Sequence, residues 1–180
     1  TNGITTAPTA SGNIQTTTRT YNTGANYTYN GTTSQAAGNG LPTTVNNLTI
    51  DNTGGAGNNT VSLSTSHTVN GVLTFTNGNI STGANSIILP VAATVSGAGT
   101  GKYVNGNVQR AFTAGSPTFT FPIGDGSNYA PVDLTFTGIT TGGDVTASTT
   151  ASDCAGSSGI DTTKSANHCW TLTNSGTVFT

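Results

Sequence analysis

The chain has 180 residues, of which only 6% are charged, with a net charge of −2; glutamate and methionine are absent and forty positions are threonine. Soluble domains usually carry about 25% charged residues, so hydroxyls and amides must keep this one hydrated. Four scattered basic residues, Arg19, Lys102, Arg110 and Lys164, exclude a basic face for nucleic acid or an anionic membrane, and no apolar run reaches the about 18 residues of a membrane helix.

Straight-chain helix formers are scarce, whereas threonine, valine and isoleucine favour extended chain. Apolar side chains make up 32%, enough for a thin core. Disorder competes with order in so Gly-, Ser- and Thr-rich a chain, but "TVSLS", "VLTFT", "PTFTF" and "VDLTFTG" each place apolar residues two apart, as strands do. The expectation is an all-β fold. The first residue is Thr1 and no signal peptide is visible, which reads as a processed product or an excised fragment.

In chain order, a Thr-hydrophobe-Asn/Ser pattern recurs as "TYN" at Thr20, "TVNN" at Thr44, "TVNG" at Thr68 and "TVSG" at Thr94. The spacing of about 24–26 residues, with short alternating strands such as Leu48-Thr49-Ile50 and Leu73-Thr74-Phe75 between copies, predicts a β-solenoid over residues 1–110. An ordinary sandwich with evenly spaced hairpins is the alternative. Asn-Gly pairs at Asn30, Asn39, Asn70, Asn77 and Asn105 mark corners, because both residues tolerate positive φ. Asn and Thr stacked from rung to rung would form hydrogen-bonded ladders.

"SGAGTGKYVNG", residues 96–106, looks at first like a phosphate-wrapping loop. A P-loop needs G-x-x-x-x-G-K-[ST] between a strand and a helix. Here Ser96 replaces the first glycine, Tyr103 replaces the hydroxyl residue, and the following "YVNGNVQRAFT" alternates like a strand. No nucleotide or other cofactor is expected. From residue 111 to 180 the aromatics, prolines and longer strands predict a β-sandwich-like module, incomplete because only about five strands are visible where a sandwich needs about seven.

Catalysis finds no constellation. His168 adjoins Cys169, and neighbours on a strand point to opposite faces; "AGSSG" is not a nucleophile elbow. No enzyme is expected. "GDGSN" places Asp125, Ser127 and Asn128 on a turn with Asp133 nearby, an oxygen set that suits calcium, although Asx-turn chemistry accounts for the same residues without metal. Cys154 and Cys169 are the only cysteines; an even count in a chain of secreted character predicts one disulfide, with two buried free thiols as the alternative. Tyr27 and Tyr29 would share a strand face, where they could stack on a glycan or cap the first rung.

The segments "YTYNGTTSQAAGNGLPTTVNNLTIDN", "SHTVNGVLTFTNGNISTGANSIIL", "YVNGNVQRAF" and "FTFPIGDGSNYAPVDLTF" carry a likeness of their own. In that order they resemble large, repetitive surface proteins of Bacteroidetes that often end in a type IX secretion sorting domain. The likeness covers about residues 20–180. It implies an extracellular, cell-surface setting and a structural or adhesive role, and Asp161-Thr162-Thr163 is similar to the acceptor for O-linked glycans in that phylum, with Thr162 as the modified residue. A cysteine pair is not usual in the family, and the sorting domain is missing here, as it would be in a fragment.

Two functions therefore stand as expectations. The first is a structural or adhesive module of a cell-surface fibre or stalk, with self-association or neighbouring modules of the same polypeptide as partners. The second is a carbohydrate-binding accessory module of a secreted enzyme, with surface glycans as partners.

Overall fold

The computed structural model describes residues 3–6, 16–156, 159, 161 and 163–180. The fold is all-β, with stacked parallel strands forming a β-solenoid of about five turns. Among the described residues there is no helix.

Each turn contributes to two sheets. The first sheet stacks β1 (Asn26–Tyr29), β4 (Asn47–Asp51), β7 (Val72–Asn77) and β9 (Thr94–Ser96), all parallel. The second begins with β2 (Gln35–Ala36) and β3 (Thr44–Val45), continues through β5 (Thr60–Ser62) and β6 (His67–Val69), and then joins the long β8 (Asn79–Leu89) and β10 (Val104–Phe112). β12 (Ile123–Gly124) lies parallel below β10, with Val104 paired to Ile123.

Alternation explains the burial. In β4 and β7 every second residue faces inward: Leu48, Ile50, Leu73 and Phe75 are at most 2% exposed. The register stacks them in rows. One row runs Tyr27–Leu48–Leu73–Val95, the next Tyr29–Ile50–Phe75. Across the core, Val61, Ile80, Val104 and Ile123 form a third. Below Phe75 the row stops at Gly97, at φ +75°, where a Cβ would come within 2.2 Å of the Phe75 carbonyl oxygen.

The corners need partners for backbone groups that strands no longer pair. Side chains one turn away supply them. Asn47 Oδ1 accepts from Val72 N at 2.7 Å, Asn79 Oδ1 from Tyr103 N at 3.1 Å, and Thr82 Oγ1 from Asn107 N at 3.0 Å. Asn46 and Asn47 both donate their side-chain amides to Asn26 Oδ1 at 2.9 Å. These are the rung-to-rung ladders expected from the asparagine and threonine content.

The repeat itself needs a correction. Thr44-Val45 and Thr68-Val69 do pair in register. Thr94-Val95, with the same tripeptide pattern, instead joins the other sheet, where Val95 pairs with Leu73. Thr20 lies in no strand. The intervals between paired residues are uneven: Tyr27, Leu48, Leu73 and Val95 are separated by 21, 25 and 22 positions. Loops of different length at the corners absorb the difference, because the ladder fixes only which strand residues meet.

Beyond the stack the chain turns antiparallel. β15 (Gly143–Thr150) pairs with β10, and β16 (Cys169–Ser175) pairs with β15, extending the second sheet. β11 (Thr118–Phe121) and β13 (Val132–Thr135) form a hairpin, and β14 (Ile139–Thr141) pairs with β17 (Val178–Phe179). The boundary expected at residue 110 falls inside β10, and parallel stacking continues to β12. Phe112, Phe121 and Phe136 pack ring to ring at 5.1–6.5 Å and continue the buried cluster into this part.

Candidate functional site

A cleft of about 870 Å³ lies between the end of the first sheet and the β11–β13 hairpin. Val95 lines it from β9, Phe119 and Thr120 from β11, Asp133 from β13, and Tyr129 from the loop between them. β9 pairs only with β7 among the described strands. Thr94 N donates toward β7, to Gly71 O at 2.9 Å. Hydrogen bonding alternates along a strand, so the amide and carbonyl of Val95 point to the open side.

Arg110 closes one wall. Its Nη1 donates to Pro90 O at 2.7 Å and Ala93 O at 2.6 Å, and Nη2 donates to Val91 O at 2.6 Å. The guanidinium also stacks over the Phe119 ring, 4.6 Å from its centroid. Three carbonyls of the turn before β9 are thus held by a single planar fork, which suits Arg and not Lys. Burial lowers the guanidinium pKa from its ordinary value. Arg110 ties a rung corner to the hairpin, a role its sequence position did not reveal.

The glycine-rich 96–106 loop is a tight turn and not a phosphate cradle. Gly99 and Lys102 exchange backbone hydrogen bonds of 2.8 and 2.9 Å, and the chain passes directly into β10. Among the described residues no helix N-terminus faces it. Lys102 and Thr100 line a small polar recess of about 360 Å³ with Asn52 and Asn77.

Asp125, Ser127, Asn128 and Asp133, the calcium candidates, divide into two groups. Asp125 Oδ1 accepts the backbone amides of Ser127 at 2.8 Å and Asn128 at 2.7 Å, an Asx turn, while Oδ2 meets His168 Nε2 at 2.8 Å. Burial opposes ionisation of this carboxyl, but the Asn128 and Ser127 hydrogen bonds and His168 outweigh it and hold its pKa below 3.8. Asp133 is engaged elsewhere, accepting from Thr120 Oγ1 across the hairpin. Among the described residues no three His, Cys, Asp or Glu side chains converge to hold a metal ion. The contact between Asp125 and His168 joins residues 43 positions apart and had no local signal.

Tyr27 and Tyr29 do share a face, but it is the inner one. Tyr29 is 3% exposed and donates its hydroxyl to Ala37 O at 2.7 Å; Tyr27 is half-buried and donates to Asn22 O at 2.7 Å. Tyr29 therefore has no free face for a glycan, whereas the Tyr27 ring stays partly exposed. Tyr129 keeps a partly exposed ring at the cleft, beside Tyr103 at 6.2 Å between centroids.

Cys154 and Cys169 form a disulfide, so the His168–Cys169 neighbourhood contains no thiol nucleophile. His67 is fully buried, with Nδ1 donating to Pro42 O at 2.9 Å; burial lowers its pKa from 6.5, opposed by that hydrogen bond. Thr162 lies outside the described residues. No helix of the described residues is long and apolar enough to cross a membrane.

Compared with known proteins, the chain matches no family model, no curated protein sequence and no solved structure.

Proposed function

We propose that the chain is a structural or adhesive module of an extracellular, cell-surface protein, in which stacked turns provide a stiff spacer. The observation that carries this reading is the set of side-chain hydrogen bonds from one turn to the next, at Asn47, Asn79 and Thr82. They tie rung to rung along the stacking direction and use uncharged groups throughout. A disulfide in the antiparallel part supports an oxidising setting. The resemblance to repetitive Bacteroidetes surface proteins supports the same location. The experiment is immunogold labelling of native cells before and after permeabilisation. Label on intact cells, lying along fibres or stalks, is the expected result; label that appears only after permeabilisation refutes the reading.

A second reading, glycan binding, is favoured by one observation: the cleft brings Phe119, Tyr129, Arg110 and Asp133 together with threonine hydroxyls. Sugars are held by such mixtures of ring faces and paired polar groups. Glycan-array binding that disappears in Tyr129→Ala and persists in Tyr27→Ala supports it, and an array without signal refutes it.

A further inference from the structure

The apolar row Ile87–Val108–Ala147–Leu172 crosses four neighbouring strands of the second sheet. Its first three members are fully buried, while Leu172, on β16, is 45% exposed. Trp170, two residues earlier on the same face, is 40% exposed. Among the described residues β16 pairs only with β15, so the row stops at an open edge.

Open edges are normally blunted by Lys, Pro, a bulge or a short strand. β16 has none of these devices: it reads Cys-Trp-Thr-Leu-Thr-Asn-Ser, seven residues without charge, glycine or proline. The edge is also pre-organised. Cys169 is tied to Cys154, Trp170 Nε1 donates to Ala130 O at 3.0 Å, and Asn174 is locked to Thr177 by two hydrogen bonds of 2.8 and 3.1 Å. Little ordering entropy remains to oppose docking.

The occupant must bring an uncharged strand edge and an apolar residue level with Leu172. We infer that it is β16 of a second copy of this chain, paired antiparallel about a two-fold axis through Leu172. That register places Leu172 opposite Leu172 of the partner subunit. It also places Thr171 against Thr173 and Trp170 against Asn174 on matching faces, with no like charges opposed. The interrupted row becomes continuous across both sheets, and one pairing satisfies both open edges, as an isologous contact does. A single strand pair buries less than the about 1,200 Å² of a standard interface, so the dimer is weak and concentration-dependent. The inference holds whether or not the turns serve as a spacer.

Trp170 is the sole tryptophan, so its emission reports on this edge alone. Sedimentation velocity and tryptophan fluorescence of the wild-type chain over a concentration series should show a monomer-to-dimer shift together with a blue shift. Leu172→Lys, at an exposed side chain, should abolish both while leaving circular dichroism and thermal melting unchanged. Leu172→Cys should form an intermolecular disulfide under air, several-fold faster than Thr28→Cys on the far sheet. A mixture of Thr171→Cys and Thr173→Cys should cross-link where each alone does not. A strictly monomeric wild-type chain, a dimer that survives Leu172→Lys, or equal cross-linking at positions 172 and 28 overturns the inference.

Discussion

Leu73→Ala probes the stacked core where it is most constrained. Leu73 is 0% exposed and lies between Leu48 on the preceding turn and Val95 on the next. Truncation removes about three methylene equivalents of burial and leaves a cavity; measured losses for buried Leu→Ala run from about 2.7 to 5.0 kcal/mol. The neighbours above and below are pinned by backbone ladders, so they cannot close inward, and the loss should fall at about 3–4 kcal/mol. For a chain of this length that corresponds to a fall in Tm of about 10 °C. Thr74, the next residue, points outward in register with Thr49 and Ser96. Thr74→Ala should cost less than about 1 kcal/mol, a propensity effect alone. Urea unfolding followed by circular dichroism, with both variants at the same slope, measures the pair. If the two substitutions differ by less than about 0.5 kcal/mol, Leu73 is not in a packed inner row and the reasoning fails.

Arg110→Lys leaves the carbonyls of Pro90, Val91 and Ala93 without their shared donor; a loss of about 2–3 kcal/mol is expected in thermal melts, and an unchanged Tm argues that water replaces the fork. Reducing the Cys154–Cys169 bond opens a loop of 15 residues of separation and should lower stability by about 3 kcal/mol; identical melts with and without reductant contradict this. The pH dependence has two windows. Because burial lowers the folded pKa of His67 below 6.5, the unfolded chain binds more protons under that pH, so stability is full above 6.5 and declines as pH falls toward the folded value. His67→Leu should flatten that slope in a pH series of urea melts, and an equal slope in both proteins rules His67 out as its source. Asp125 is held below 3.8, so its contribution is present above that pH and disappears under stronger acid; Asp125→Asn should remove the corresponding loss.

Strand content and the inner faces were legible because period-two alternation is written directly in residues such as Leu48-Thr49-Ile50 and Leu73-Thr74-Phe75. So was the pairing of Thr44 with Thr68. Val95 misled because one turn visits two sheets, and the same Thr-Val-polar pattern serves an inner strand position in either. Tyr27 and Tyr29 were correctly placed on a common face, but alternation does not say which face is inside. The contacts that define the cleft and its surroundings had no local signature. Arg110 reaches back 17–20 residues to three carbonyls, and Asp125 meets His168 across the antiparallel strands. Such contacts follow from tertiary closure, which spacing along the chain does not encode.

The central claim is the register of the stack, and nuclear Overhauser contacts between backbone protons of neighbouring turns measure it most directly. Parallel ladders should give cross-peaks linking Leu48 with Leu73 and Leu73 with Val95, and separately Val45 with Val69. Cross-peaks that instead join Val69 to Val95, or that connect these segments in antiparallel order, would contradict the account.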